Sequence, residues 1–233
     1  MRIAQILPTT LIDYPGKVAS LIYTASCNFR CPFCHNPELV LERQIAKLRL
    51  IPEEEVFSLL SERGSFLDGV VITGGEPTLQ PDLARFIRRV RELGFLMKLD
   101  TNGSRPEVID ELLDSQLLDY VAMDVKGPEP RYSEMAGVPV DMGAIVHSIR
   151  SIIGRAPDYE FRTTVAPSLT TEEIERIVPL ISGAKRYYLQ RFIVPEDKDL
   201  LDPDWSGRTG LSEEELLTIW DRIGNNFASG GVR

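Results

Sequence analysis

The sequence contains little cysteine or histidine. Among its 233 residues are three cysteines and two histidines, and all three cysteines lie within residues 27–34. An odd number of crowded cysteines does not suit a disulfide framework, and in a reducing compartment it indicates metal binding or redox chemistry. No cysteine remains for a second cysteine-ligated centre. We therefore expect at most one such centre.

Long apolar runs and an excess of positive charge are also missing. No run approaches the roughly 20 apolar residues that cross a bilayer, and the first residues lack the apolar stretch of a signal peptide. The chain has 26 Lys and Arg against 35 Asp and Glu, a net charge of −9, and an acidic protein repels phosphate backbones. These features predict a cytoplasmic protein whose partners include neither a membrane nor a nucleic acid.

Short apolar runs alternate with amphipathic segments along most of the chain, a pattern typical of βαβ units and a parallel sheet. The predicted strands cover residues 18–23, 70–72, 96–99, 120–123, 159–165 and 186–192. Six strand-helix units are too few to close an eight-stranded barrel. The sequence therefore predicts an α/β fold, a partial (β/α)6 TIM-like barrel that is open on one side.

We expect residues 1–233 to form one domain. Residues 1–16 form an N-terminal extension, residues 194–211 a long loop rich in Pro, Asp and Gly, and a C-terminal helix begins at about residue 212. Loops of this length are often functional. We expect Trp205, within this loop, to be a packing residue.

Capping residues mark several helix ends. Pro52 opens a helix that ends before Gly64, and Asp141 opens one that Gly154 closes. Capping boxes, in which a Ser or Thr and a Glu three residues later bond each other's backbone, are predicted for Ser104 with Glu107 and for Thr170 with Glu173.

Polar residues follow the predicted strands directly. The cysteines follow the first strand, Gly74 to Glu76 the second, Asp100 the third, and Asp124 and Lys126 the fourth. In parallel α/β folds this edge of the sheet binds ligands. Arg162 lies on the fifth strand, and periodicity leaves open whether it faces into the barrel or outward.

Cys27, Cys31 and Cys34 place three thiols in one loop. Three thiolates can ligate three irons of a [4Fe-4S] cluster, which leaves the fourth iron open to a substrate. The alternative is a structural zinc site, which requires four ligands. His35 is too close to Cys34 in sequence to complete such a site comfortably.

These cysteines, with Phe33 before the last, resemble the cluster motif of the radical S-adenosylmethionine (SAM) enzymes. Gly74-Gly75-Glu76-Pro77 resembles the GGEP segment of that family. Residues 13–17 and 34–39 resemble the activating proteins of anaerobic ribonucleoside-triphosphate reductase, which are related to the pyruvate formate-lyase activating enzyme. The resemblance covers roughly residues 8 to 193.

The resemblance implies a role for each motif. Cys27, Cys31 and Cys34 are the catalytic and metal-binding residues, and the residues implied to bind SAM are Phe33, Gly74, Gly75, Glu76, Asp100, Thr101, Asp124, Lys126 and Gln190. Gly74, Gly75 and Glu76 contact the methionine amine, and Lys126 binds the carboxylate. Phe33 packs on adenine or shields the cluster.

A small monovalent cation site is implied at Asp100, Thr101 and Asp124, because two neighbouring aspartates repel unless a cation lies between them. Gln190 falls where the activases close the adenine site. The alternatives are a tight turn at the glycines, and turn capping by Asp100 with salt bridging by Lys126.

The implied activity is reductive cleavage of SAM and formation of a glycyl radical on a partner enzyme, with anaerobic ribonucleotide reductase favoured. A flavodoxin or a ferredoxin-type protein is the implied electron donor. One alternative is a radical reaction on another glycyl-radical enzyme or a small metabolite. Another is a non-catalytic zinc or cluster-binding interaction module, which leaves Gly74 to Glu76 and Lys126 unexplained.

Overall fold

A computed structural model describes residues 1–194 and 199–233, which form one eight-stranded sheet with the strands in chain order. The strands are β1 (Ile3–Thr10), β2 (Ala19–Thr24), β3 (Gly69–Gly74), β4 (Leu96–Thr101), β5 (Tyr120–Asp124), β6 (Tyr159–Val165), β7 (Arg186–Arg191) and β8 (Ser229–Val232). Strands β2 to β8 run parallel, and β1 pairs antiparallel with β2. Because β1 and β8 are the two edges of this order, the sheet is open.

Helices connect most of the strands. They are α1 (Glu42–Ile45), α2 (Glu53–Glu62), α3 (Leu83–Glu92), α4 (Pro106–Asp114), α5 (Tyr132–Ala136), α6 (Met142–Arg155), α7 (Thr171–Glu175) and α8 (Glu213–Ile223). The buried residues of α3, Leu83, Phe86, Ile87 and Val90, recur at helical spacing. None of the described helices is long and apolar enough to cross a membrane.

All six predicted strands are present, but the sheet has two more. Residues 1–16, expected only as an extension, contain β1, and β8 adds a seventh parallel strand. The sequence of β8, Ser-Gly-Gly-Val, has little β propensity. Gly230 is needed there because a Cβ would lie less than 3.0 Å from the carbonyl oxygen of Tyr187 and from the ring of Trp220.

The predicted helix ends are partly correct. The capping box of Thr170 and Glu173 is confirmed, and the Asp141 side chain accepts a hydrogen bond from Gly143 N. The helix predicted to end at Gly154 continues to Arg155. Helix α2 begins at Glu53, one residue later than predicted, with Pro52 as its N-cap.

The capping box predicted for Ser104 and Glu107 is wrong. Arg105 is the N-cap of α4 without a side-chain capping bond, and its own guanidinium binds Glu107. Ser104 instead accepts a hydrogen bond of 2.8 Å from the Asn28 side chain. The hydroxyl is therefore used to contact the cysteine loop.

The long loop predicted for residues 194–211 contains regular structure in its second half. Pro203–Trp205 form a 3₁₀ helix, and Asp202 caps it by accepting a hydrogen bond from Asp204 N. The C-terminal helix, predicted from about residue 212, begins at Glu213, and Ser212 forms a capping box with Glu215 that was not predicted. Residues 195–198 of the predicted loop lie outside the described residues.

Candidate functional site

The C-terminal ends of β3, β4 and β5 and the segments after β2 to β5 meet at one cavity of about 250 Å³. The predicted residues that line it are Cys27, Cys31, Phe33, Cys34, Gly74, Gly75, Glu76, Asp100, Thr101, Asp124 and Lys126. The predicted residue Gln190 is not among the lining residues. It pairs on β7 with Thr164 of β6, which does line the cavity. Sequence reasoning also missed Asn102 as a lining residue.

The glycines at the end of β3, Gly74 and Gly75, allow close contact with the start of the cysteine loop. Gly74 has a φ of +115°, and a Cβ on Gly75 would lie less than 3.0 Å from the Ser26 carbonyl oxygen. That oxygen also accepts a hydrogen bond of 2.7 Å from Glu76 N. The backbone after β3 thus supports the residue that precedes Cys27.

The side chain of Glu76 links the segments after β3 and β4. It is 1% exposed, and its Oε1 accepts hydrogen bonds from Thr78 N, Thr78 Oγ1 and Thr101 Oγ1. Oε2 accepts one bond of 2.7 Å, from Asn102 N, which leaves a lone pair for a ligand. Burial raises the pKa of Glu76, and the hydrogen bonds from Thr78, Asn102 and Thr101 oppose that rise.

The three thiols also line the cavity, Cys31 buried and Cys27 and Cys34 half-buried. Burial raises the pKa of Cys27 to about 12 and that of Cys31 to about 11. Burial also raises the pKa of Cys34. Cys27 Sγ accepts a hydrogen bond of 3.4 Å from Phe29 N, and the Asn102 amide nitrogen lies 4.0 Å from it. These thiols carry protons in the metal-free protein and must lose them to bind iron.

The three sulfurs suit the cluster that their spacing predicts. Within residues 1–194 and 199–233, no group of three or more His, Cys, Asp or Glu side chains is gathered around a single metal-ion position. A [4Fe-4S] cluster does not require such a group, because its cysteine ligands bind different irons. Cys27, Cys31 and Cys34 would hold three irons on the wall of the cavity.

The first half of the cysteine loop is held by α5. Arg30 N donates a hydrogen bond of 2.7 Å to Ala136 O, and the Arg30 guanidinium donates to the carbonyl oxygens of Cys27 and Phe29. Gly137, with a φ of +67°, would place a Cβ less than 3.0 Å from Arg30 O. The sequence analysis did not predict this contact. The glycine at the end of α5 was the one feature of the sequence that could have indicated it.

We expect Gly137→Ala to impair cluster loading. Its Cβ would meet backbone, and a left-handed conformation costs a non-glycine residue about 1–2 kcal/mol. Iron per chain after anaerobic reconstitution should fall well below the wild-type value. Gly154→Ala is the matched control, because a Cβ there meets nothing within 4 Å and alanine favours the helix. Equal iron content in the two variants would contradict this role of Gly137.

Arg162 faces into the barrel and lies between the two aspartates. Its Nη1 is 3.3 Å from Asp100 Oδ2, and its Nε is 2.9 Å from Asp124 Oδ1. Lys126 Nζ lies 3.1 Å from the other Asp124 oxygen. Burial alone would raise the pKa of Asp124, but the charges of Arg162 and Lys126 hold it well below its ordinary value.

The positive charge between the aspartates is therefore supplied by a side chain. Lys98, buried on β4, contacts Asp100 as well. Sequence reasoning did not single out Lys98, although residues two apart on a strand share a face. The repulsion from which a bound cation was predicted is already offset by Arg162 and Lys98.

Comparison with known proteins identifies the family. The Radical SAM superfamily matches residues 21–181. The chain belongs to this superfamily. A relative from Methanocaldococcus jannaschii, provisionally named a glycyl-radical enzyme activating enzyme, is 37% identical over 93% of this chain and 89% of its own length. A second protein of that organism with the same provisional name is 28% identical over 74% of this chain and 65% of its own length.

Solved structures confirm the partial-barrel fold. Streptococcus suis SuiB bound to S-adenosylmethionine matches 91% of this chain with a TM-score of 0.68 and 16% identity. The chain spans about half of SuiB, 49% of its length. A domain of the pyruvate-formate lyase-activating enzyme from Bacteroides vulgatus matches 71% of this chain and 98% of that domain, with a TM-score of 0.55 and 18% identity.

This radical SAM enzyme is homologous to proteins named as glycyl-radical enzyme activating enzymes. Its family implies S-adenosylmethionine and a [4Fe-4S] cluster as cofactors. Three cysteines line a cavity that is also lined by two glycines, a carboxylate with one lone pair left, and a half-buried lysine. The residues present therefore fit both cofactors.

Proposed function

We propose that this radical SAM enzyme generates a glycyl radical on a partner protein, with anaerobic ribonucleoside-triphosphate reductase as the favoured partner. The observation that carries the proposal is the 37% identical relative, which matches over 93% of this chain and 89% of its own length. Matches to a GTP 3',8-cyclase and a PqqA peptide cyclase cover only 48% and 33% of those proteins. Those matches indicate that this chain shares a core domain with the two cyclases. They do not indicate a shared substrate.

The chain's own residues would bind and orient the cofactors. When bound, the reduced cluster and S-adenosylmethionine supply a 5'-deoxyadenosyl radical. Lys126, held charged beside Asp124, would bind the methionine carboxylate, and Glu76 Oε2 with the backbone of Gly74 and Gly75 would receive the amine. Phe33 would pack on the adenine, with Gln190 closing that side of the site.

We further propose that Arg162 neutralises Asp100 and Asp124 in the cofactor-free protein. Its guanidinium occupies the position between the carboxylates. A monovalent cation at Asp100, Thr101 and Asp124 would require Arg162 to move first. We therefore expect a cation to bind there only when Arg162 no longer contacts Asp124.

The choice of a reductase as partner is supported by the two segments that resemble reductase activators. Residues 34–39 support the cysteine loop, because Leu39 O accepts a hydrogen bond of 2.8 Å from Ser26 N. In residues 13–17, Tyr14 is buried against Tyr120 at the start of β5, the end of the strand away from the cavity. A partner loop could enter where the sheet is open, between β1 and β8.

We expect the reduced protein with S-adenosylmethionine to produce a glycyl doublet in the EPR spectrum of an anaerobic ribonucleotide reductase. The electron would come from a flavodoxin or a ferredoxin-type donor, with chemical reduction as a substitute. Replacing the partner's radical-forming glycine with alanine is the control and should remove the doublet.

Two other outcomes are informative. If 5'-deoxyadenosine forms and the reductase stays silent while another glycyl-radical protein or a small metabolite reacts, the choice of partner is wrong. If neither 5'-deoxyadenosine nor a radical forms with a fully loaded cluster, the proposed activity itself is contradicted.

A further inference from the structure

Residues 199–206, here called the strap, lie against the second half of the cysteine loop. Asp202 N donates a hydrogen bond of 3.0 Å to Pro32 O, and Leu201 N donates one of 3.0 Å to Cys34 O. These two bonds lie on either side of Phe33. A segment about 170 residues away in sequence thus fixes the backbone around the aromatic residue of the cluster motif.

Trp205 completes this contact. The capped 3₁₀ turn at Pro203–Trp205 brings its ring against that of Phe33, with centroids 5.8 Å apart and planes at 47°. Trp205 is 6% exposed and Phe33 is 5% exposed. The Arg208 guanidinium lies 4.4 Å from the Trp205 ring centroid. Phe33 therefore packs against the strap while it also lines the cavity.

The two halves of the loop are held by different parts of the fold. Arg30 and α5 hold the first half. Among the described residues, the strap makes the backbone hydrogen bonds that join Pro32 and Cys34, on either side of Phe33, to another segment. Irregular loops are mobile unless such contacts hold them. Without the strap, Pro32 and Cys34 would lose these backbone hydrogen bonds, and Phe33 would lose its contact with Trp205.

We propose that Trp205 is a positioning residue for the cluster. Through Phe33 it holds Cys34 where the third iron is bound, and it limits the local opening that releases iron. The same contact fixes the ring of Phe33 at the adenine side of the cavity. This role concerns the cofactor implied by the family and requires no particular partner, so it can be tested without one.

The test measures iron release to a chelator under anaerobic conditions. Aromatic pairs of this kind correspond to about a 2- to 10-fold effect, and Trp205→Ala also removes a buried side chain, so we expect iron release about tenfold faster than in the wild type. Trp220→Ala is the matched control. Trp220 packs on Tyr187 and Phe227, away from the cysteine loop, and its loss should leave the release rate unchanged.

A second measurement separates positioning from general stability. In the metal-free protein, iodoacetamide labelling followed by peptide mass spectrometry should show increased modification of Cys34 relative to Cys27 in Trp205→Ala. Wild-type release and labelling in a folded Trp205→Ala protein would overturn the proposal. So would equal acceleration in Trp220→Ala.

If Trp205→Ala does not fold, Arg208→Ala provides a second test of the proposal. Arg208 is exposed, and an exposed cation over an aromatic ring corresponds to about a 2- to 5-fold effect. We expect iron release faster by that factor. An unchanged release rate would count against the role of the strap.

Discussion

Alanine at Cys27, Cys31 or Cys34 is expected to abolish cleavage of S-adenosylmethionine. The three thiols line one cavity, and the sequence contains no further cysteine to replace any of them. The wild-type protein should bind about four irons per chain, and addition of S-adenosylmethionine should change the axial EPR signal of the reduced cluster. Each variant should lose the iron and yield no 5'-deoxyadenosine by chromatography.

His147→Ala is the control for this series. His147 is a potential metal ligand, but it lies exposed on α6, 2.8 Å from Asp110. The iron content of the His147→Ala variant and its cleavage of S-adenosylmethionine should match those of the wild type. A wild-type chain that binds one zinc and no iron would contradict the cluster assignment.

Iron loading should also depend on pH. Because burial raises the pKa of Cys27 to about 12 and that of Cys31 to about 11, each thiol must release a proton when it binds iron. Affinity should therefore rise with pH through the neutral range. The protons released during anaerobic loading can be measured with an indicator dye.

Lys126→Ala should weaken S-adenosylmethionine binding by about 10- to 150-fold, which corresponds to a charge-assisted contact of about 1.5–3 kcal/mol. The Lys126 side chain is 14% exposed and lies 3.1 Å from Asp124, so it presents a fixed positive charge at the cavity. Asp124 keeps a partner in the variant, because Arg162 remains 2.9 Å away. We therefore expect normal folding and normal cluster content.

Calorimetry on the cluster-loaded protein measures this effect. Lys126→Arg is the matched variant. It keeps the charge but changes the shape of the donor, and we expect a smaller loss. Unchanged binding in Lys126→Ala would show that the carboxylate is bound elsewhere.

The sequence predicts the parts of the fold that depend on local patterns. The six parallel strands could be found because each is a short buried run between turn signals. The edge strand β8 could not, because Ser229–Val232 is placed by packing against Tyr187 and Trp220 and not by its own propensity. Motif spacing likewise identified the cysteines and the polar residues after the strands.

The remaining parts of the site depend on contacts between distant segments. Neither Gly137 against Arg30 nor Trp205 against Phe33 leaves a periodic signal, because each joins residues about 100 or more positions apart. The direction of Arg162 was also undetermined. Its strand, β6, is buried over most of its length, so polar and apolar alternation does not distinguish its two faces.

Paired charges line the cavity at β6 and continue towards the start of that strand. Arg162 binds Asp100 and Asp124, and two residues earlier on the same strand Glu160 accepts hydrogen bonds of 3.0 and 3.1 Å from Arg233. A group that entered more deeply would have to separate these ion pairs, in which the Arg162 and Glu160 side chains are 13% and 1% exposed. The cost would be several kcal/mol for each charge removed from water. The paired charges therefore act as a floor. Under the proposed function, a partner peptide would enter the barrel only as far as this floor, so a short, projecting tip would bring its target atom to the cavity.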